Sequence, residues 1–239
     1  MKIEVHPDPA AIARKAAEII AADARAAIAS RGRYVMAVSG GSTPWLMLRA
    51  LADQQLAWEN LHVVQVDERA APAGDRERNL THLRESLFDH APVPLRHLHA
   101  MPVEATDLNS AARQYAKILK DVAGSPPVID LVHLGLGVDG HTASLVPGDP
   151  VLEVVDADVA VTRPYQGRRR MTLTFPIINR SRRVLWLVTG HEKGAALTRL
   201  RDRDPSIPAS RVRQDLALIL ADRAAAEQLG ASDNLEMRK

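Results

Sequence analysis

From Arg33 to Ser39 the chain reads Arg-Tyr-Val-Met-Ala-Val-Ser, apolar at every position inside its two ends. A strand without polar alternation has no face to give to water, so it belongs in a sheet covered by helices on both sides, and such sheets are mainly parallel. The same style recurs. Lys2 to Val5, Leu61 to Asp67, Val128 to Leu134, Val159 to Thr162, Met171 to Phe175, Val184 to Thr189 and Leu216 to Leu220 read as further strands. Helical stretches lie between them: Pro9 to Ser30, Thr43 to about Ala52, Asn79 to Phe88, Asp107 to Ala123, His191 to Asp202, and one from Asp222. Thr43 is expected to cap the second helix, with Pro44 at its first position. Gly124 and Pro126 end the helix that starts at Asp107. No repeat, low-complexity tract or linker divides the sequence, so one α/β domain over residues 1–239 is expected. The polar tail after Ala231 is expected to fray.

Composition narrows the chemistry. The chain has 239 residues and no cysteine, which removes disulfides, cysteine-held zinc, iron–sulfur clusters and thiol catalysis. Aromatic residues are 3% of the sequence, so Val, Ile, Leu and Ala must build the core. Thirty-one basic residues face twenty-nine acidic ones, a balance that gives little reason to expect a nucleic-acid partner. The start, MKIEVHPDPA, has no apolar stretch after its charge, and no apolar run reaches a membrane span. A soluble, cytoplasmic protein is expected, with no membrane partner.

In an open parallel sheet, ligands bind beyond the carboxyl ends of the strands, so the strand-to-helix turns are where chemistry is sought. The first is Ser39-Gly40-Gly41-Ser42-Thr43-Pro44. Its glycines let backbone amides approach an anion, its hydroxyls add donors, and the helix that follows turns its positive end toward it. A phosphate fits better than a bare tight turn; no Gly-Lys-Ser/Thr follows, so it is not a Walker loop. The second is Asp67-Glu68-Arg69, where a carboxylate can orient a hydroxyl and an arginine can hold an anion; a surface ion-pair cluster fits the sequence equally well. The third is Gly135-Leu-Gly-Val-Asp-Gly-His-Thr142. It contains a formal G-x-G-x-x-G, but Pro147, Gly148 and Pro150 interrupt the helix a dinucleotide site needs. The glycines instead present Asp139 and His141, a pair suited to general-base work. Arg170 and Lys193 can complete an anion pocket, although a solvated charge at an element end is the commoner fate of either alone. His191-Glu192 lacks the second histidine of a zinc protease, and no G-x-S-x-G elbow exists. No metal and no organic cofactor is indicated.

Taken in order, Ser-Gly-Gly-Ser-Thr-Pro, Asp-Glu-Arg with Asn79, Gly-Leu-Gly-Val-Asp-Gly-His-Thr-Ala-Ser-Leu-Val-Pro-Gly, Arg-Met-Thr-Leu-Thr-Phe-Pro-Ile-Ile-Asn and Val-Thr-Gly-His-Glu-Lys resemble the 6-phosphogluconolactonase family. The resemblance covers about Ser39 to Asp222. It implies a Rossmann-like three-layer sandwich with a mainly parallel sheet, similar to glucosamine-6-phosphate isomerase, and hydrolysis of 6-phospho-D-glucono-1,5-lactone in the oxidative pentose phosphate pathway. It further implies that Ser39, Gly40, Gly41, Ser42, Thr43, Arg170 and Lys193 surround the phosphate. His141 would be the general base with Asp139 beside it, and Asp67 and Arg69 would face the sugar ring. The partner implied is the sugar-phosphate lactone, taken by a monomer or small homo-oligomer. Val146 departs from the usual aromatic before Pro-Gly, and Arg78 stands where a small residue is common.

Two other functions fit the same pattern less well. In the resembling isomerases an acid follows Gly-His shortly before the proline, but Thr142-Ala-Ser-Leu-Val-Pro147 has none. A sugar-phosphate-sensing regulator would need a DNA-binding module, for which no room is expected before the first strand.

Overall fold

The computed structural model describes residues 1–229, so the tail after Ala231 lies outside the described residues. Seven strands, all parallel, form the main sheet: β1 (Lys2–His6), β2 (Tyr34–Val38), β3 (Leu61–Gln65), β5 (Leu98–His99), β6 (Leu131–Gly135), β9 (Arg183–Val188) and β10 (Ala217–Asp222), in the order β1-β10-β9-β6-β2-β3-β5. Period-two alternation within these apolar strands feeds two cores. Val35 and Ala37 pack with α4 (Leu108–Ala123), α5 (Phe175–Arg180) and α6 (Gly194–Arg201). Tyr34, Met36 and Val38 pack on the other face with α1 (Pro9–Arg31) and α2 (Ser42–Ala52). The result is the three-layer sandwich that two-sided apolar strands require. Alanines at 13, 16, 17, 21, 24 and 27 of α1 are buried, so that long helix lies close on the sheet without large side chains.

Local chemistry sets the helix ends. Asp8 accepts from the Ala11 amide at 2.7 Å and Gly32 ends α1 in the left-handed region. Asp107 accepts from the amides of Asn109 and Ser110, and Gly124 ends α4. The second helix departs from expectation. It begins at Ser42 with Gly41 as its cap, and no side chain caps it. The Thr43 hydroxyl is engaged 2.8 Å from that of Thr189, at the end of β9, so the first-turn amides stay available. The stretch His191 to Asp202 is a 3₁₀ turn at His191–Lys193 followed by α6.

The strands also differ from expectation. Asp67–Arg69 is β4 and does not continue β3. With β8 (Arg170–Leu173) and β7 (Val159–Val161) it forms a separate antiparallel sheet in the order β4-β8-β7. Val66 joins the two sheets: its amide donates to Val38 O at 3.0 Å, and its carbonyl accepts from Leu173 at 2.8 Å. The chain therefore swings out of the main sheet with Asp67 at the corner. Glu68 is fully buried and belongs to the scaffold. It accepts from the amides of Asn79 and Leu80, which open α3 (Asn79–Leu83), and its Oε2 lies 3.3 Å from Arg78 Nε. Arg78, the departure noted in the sequence, is thus a buried counter-charge, bonded also to Glu104.

In sequence order β2, β3 and β5 run toward one edge of the main sheet, while β6, β9 and β10 run toward the other. The reversal falls between the neighbours β2 and β6. Sheets of this kind bind ligands in the crevice at that switch point, and it is here that both glycine-rich turns leave their strands. Among the described residues no helix is long and apolar enough to cross a membrane.

Candidate active site

The turn after β2 reaches the crevice because of what supports it. Ser39 is buried; its amide donates to Nδ1 of His133 in β6 at 3.3 Å, and its hydroxyl donates to Asp67 Oδ1 at 3.3 Å. Burial lowers the His133 pKa to about 3, so the ring stays neutral and can accept from Ser39. Gly40 has no room for a side chain, because a Cβ there would lie 2.0 Å from Asn79 Oδ1. Asn79 in turn donates to Asp67 O at 2.9 Å and accepts from Arg69 Nη1 at 2.8 Å. Among the described residues, the amides of Gly40 and Gly41 donate to no protein group. Together with the uncapped first turn of α2 they form a set of unengaged donors, the arrangement that binds anions at helix N-termini. Gly40→Ala is expected to displace Asn79 and lower stability by about 1–3 kcal/mol, read as a drop in the urea midpoint. An unchanged midpoint would rule out the close approach.

The turn after β6 presents the acid and the imidazole. His141 Nδ1 lies 2.6 Å from Asp139 Oδ1, and the His141 amide donates to the same oxygen at 3.2 Å. Burial raises the Asp139 carboxyl, but the bonds and charge from His141 outweigh that, and the net shift is downward. Asp139 therefore accepts as a carboxylate, which places the ring proton on Nδ1 and leaves Nε2 as the basic nitrogen. Gly137 is required beneath the pair, since a Cβ there would sit 2.1 Å from His141 Nδ1.

One cleft of about 190 Å³ gathers the expected residues. Ser39, Gly40, Gly41, Asp67, Arg69, His141, Arg170 and Lys193 all line it. Ser42 and Thr43 line an adjoining cleft that shares Gly40, Gly41 and Lys193 with the first. Asp67 is buried and its carboxylate is already engaged, by Ser39 and by the Ser144 hydroxyl at 2.6 Å. It therefore ties the two turns and the sheet corner together. Arg69 engages Nη1 with Glu77 O and Asn79 Oδ1. Arg170, opposite Arg69 in the β4–β8 register, is buried, and among the described residues its Nε has no partner. Burial, with the neighbouring charge of Arg69, lowers its pKa from the ordinary arginine value, yet arginine remains a cation in proteins. A buried, underused guanidinium beside a set of unengaged amides asks for an anion. Lys193 makes no side-chain hydrogen bond or ion pair among the described residues.

Three contributors were not legible in the sequence. Ser144 and His133 lie under the turns, and Tyr165 packs its ring against His141, with centroids 5.8 Å apart and planes at 65°. Ser144 sits inside the Gly-His-Thr-Ala-Ser motif, and His133 is a polar residue in the apolar strand just before it. Tyr165 lies in a loop with no motif at all.

A glycine turn with unengaged amides and an Asp–His pair, on adjacent strands of a switch point, define a doubly wound α/β protein with a candidate site at the carboxyl edge of the sheet. The family described as glucosamine-6-phosphate isomerases/6-phosphogluconolactonase matches residues 7–220. A 6-phosphogluconolactonase of Synechocystis is 40% identical over 211 residues, covering 85% of this chain and 88% of that protein. The solved structure of 6-phosphogluconolactonase from Thermotoga maritima is 27% identical and superposes with a TM-score of 0.82 over 92% of this chain and 98% of its own. A monomeric glucosamine-6-phosphate deaminase, 21% identical, superposes with a TM-score of 0.83 over 95% of this chain and 100% of its own, a likeness of fold. The chain belongs to the glucosamine-6-phosphate isomerase/6-phosphogluconolactonase family.

Proposed function

We propose that this chain is a lactone hydrolase that opens 6-phospho-D-glucono-1,5-lactone to 6-phospho-D-gluconate, a step of the oxidative pentose phosphate pathway. The observation that carries the reading is the pairing, in one cleft, of an unengaged anion-binding turn with an Asp-oriented imidazole. The 40% identity to a 6-phosphogluconolactonase supports it. The buried stretch Thr142 to Val146 offers no acid for the proton transfers of an isomerase.

In the proposed reaction the substrate phosphate rests on the amides of Gly40, Gly41, Ser42 and Thr43, the hydroxyl of Ser42, and the cations Arg170 and Lys193. His141 Nε2 takes a proton from water as its oxygen adds to the lactone carbonyl carbon C1. The tetrahedral adduct collapses by breaking the bond from C1 to the ring oxygen. The imidazolium returns the proton to that oxygen, which leaves as the C5 hydroxyl, and the carboxylic acid product ionises into solvent. Asp139 holds the ring, Arg69 faces the sugar, and Asp67 fixes the turns around it. No metal or cofactor takes part. We also take residues 1–239 as one domain, acting in the cytoplasm as a monomer or small homo-oligomer without a nucleic-acid or membrane partner. Sedimentation and a single cooperative melt test the assembly and the domain.

The deciding experiment measures lactone opening above the spontaneous rate, with glucosamine 6-phosphate deamination run in parallel. Deamination without lactone opening reverses the reading, and neither activity favours a sensing role. Arg170→Ala and Lys193→Ala are expected to raise KM about tenfold or more, with a smaller loss of kcat. Phosphate is remote from the reacting carbon, and its binding is shared by ground and transition states. Unchanged KM in both variants removes these residues from the site.

A further inference from the structure

We propose that Tyr165 is a positioning residue that holds the catalytic imidazole and the anion-binding arginine in one arrangement. The proposal rests on the hydrolytic reading above and extends it to a residue outside every recognised motif. Among the described residues, His141 has one ring hydrogen bond, through Nδ1 to Asp139. A single bond leaves the ring free to swing about it. The Tyr165 ring closes that freedom with an edge-to-face contact, centroids 5.8 Å apart at 65°. The same ring carries the Arg170 guanidinium 4.9 Å from its centroid, inside cation–π range. One side chain thus touches both of the groups whose separation must match the distance from phosphate to lactone carbonyl.

The backbone around Tyr165 is built for this contact. Tyr165 and Arg168 exchange both backbone hydrogen bonds, at 2.9 and 3.3 Å. The two residues between them, Gln166 at φ 52° and Gly167 at φ 80°, both lie in the left-handed region, as the tightest hairpin turns require. Glycine or asparagine suits the first of these positions; glutamine there is strained. Gln166 Oε1 accepts from Arg170 Nη2 at 3.0 Å, a reach that glycine lacks. The turn therefore keeps a strained glutamine and places two successive side chains on Arg170. With Nη2 held by Gln166 and the cation held over the ring, Nε and Nη1 make no hydrogen bond among the described residues.

Tyr165 touches no reacting atom in this scheme, so its effect is graded. An aromatic pair adds modestly to stability beyond area burial, and Tyr165→Ala is expected to lower kcat by about three- to tenfold. Loss of the cation–π contact is expected to weaken inorganic phosphate binding by about two- to fivefold. Tyr165→Phe keeps the ring and is expected to restore both within about twofold, whereas Tyr165→Leu fills similar space without a π face and is expected to resemble alanine. Tyr165 is half-buried in a surface hairpin, so thermal melts of all three variants are expected to match the parent chain.

The test combines steady-state lactone opening with calorimetric titration of inorganic phosphate on the four proteins. Phenylalanine rescue of both readouts, with leucine failing, supports the assignment. Leucine matching phenylalanine makes the residue a space-filler and overturns it, and so does an unchanged kcat and phosphate affinity in Tyr165→Ala. The phosphate titration needs no turnover. If the parent chain does not open the lactone, the hydrolytic reading fails by itself, and the phosphate series still decides whether Tyr165 orders Arg170.

Discussion

His141→Ala is expected to lower kcat for lactone opening by roughly 10²–10⁴-fold, the range typical of a removed general base. KM is expected to change little, because the anion-binding turn stands on Ser39, Asn79 and Asp67 rather than on His141. Asp139→Asn is expected to cost less. The amide can still hold the ring, but it cannot stabilise the imidazolium that forms after proton transfer. Gly137→Ala is expected to approach the histidine deletion, since its Cβ would occupy space 2.1 Å from Nδ1 and push the ring off its carboxylate. Water attack leaves no covalent adduct, so rapid quench of the parent chain should show no acyl-enzyme by mass spectrometry. A His141→Ala variant with near-parental kcat, or a trapped acyl-enzyme, removes this mechanism.

The glycine-rich turn around Gly137 was legible because its constraint is local: the side chains of Asp139 and His141 fill the space a Cβ at Gly137 would take, and a short motif encodes such an approach, whereas Gly40 makes room for the distant Asn79. The alternation of apolar strands with helices likewise carried the parallel sheet. What escaped depends on partners distant in sequence. Thr43 reads as a cap, but Thr189, two strands over in the sheet and 146 residues away in sequence, engages its hydroxyl. Leu61 to Asp67 reads as one strand because Val66, the single residue between two sheets, is as apolar as its neighbours. The β5 strand has two residues, too few for a period to show. Tyr165 has no neighbours that mark it; only the hairpin brings it onto His141.

The same distance effect hides a cluster of histidines whose consequence is a stability that falls in mild acid. His62 on β3, His99 on β5 and His97 just before it stack at the sheet edge. Ring centroids are 4.1 Å apart for His62 and His97, and His62 Nδ1 lies 3.1 Å from His99 Nε2. Burial and the neighbouring imidazoles, with Arg33 and Arg96 close by, lower His62 to about 4. Burial lowers His97 and His99 as well, and holds His133, beneath the Ser39 turn, at about 3. In the unfolded chain a histidine titrates near 6.5. A folded pKa below the unfolded one means that the unfolded state takes up protons first as pH drops. Stability is therefore complete above about pH 6.5 and is lost progressively as pH falls toward the folded values of about 4 and 3. Each pKa unit corresponds to about 1.4 kcal/mol, and because His62 is only half-buried, so that solvent screens its neighbours' charges, His62 alone accounts for a loss on the order of 1–2 kcal/mol near pH 4.5. Asp139, whose carboxyl is lowered, adds its own loss at still lower pH, and Asp23, raised by burial, opposes it there. The expected result is a urea midpoint that is level from pH 8 to 7 and falls steeply between pH 6 and 4.5. His62→Gln is expected to flatten that fall, since glutamine does not titrate. A midpoint independent of pH across this range, or a His62→Gln chain as acid-sensitive as the parent, excludes the cluster as its cause.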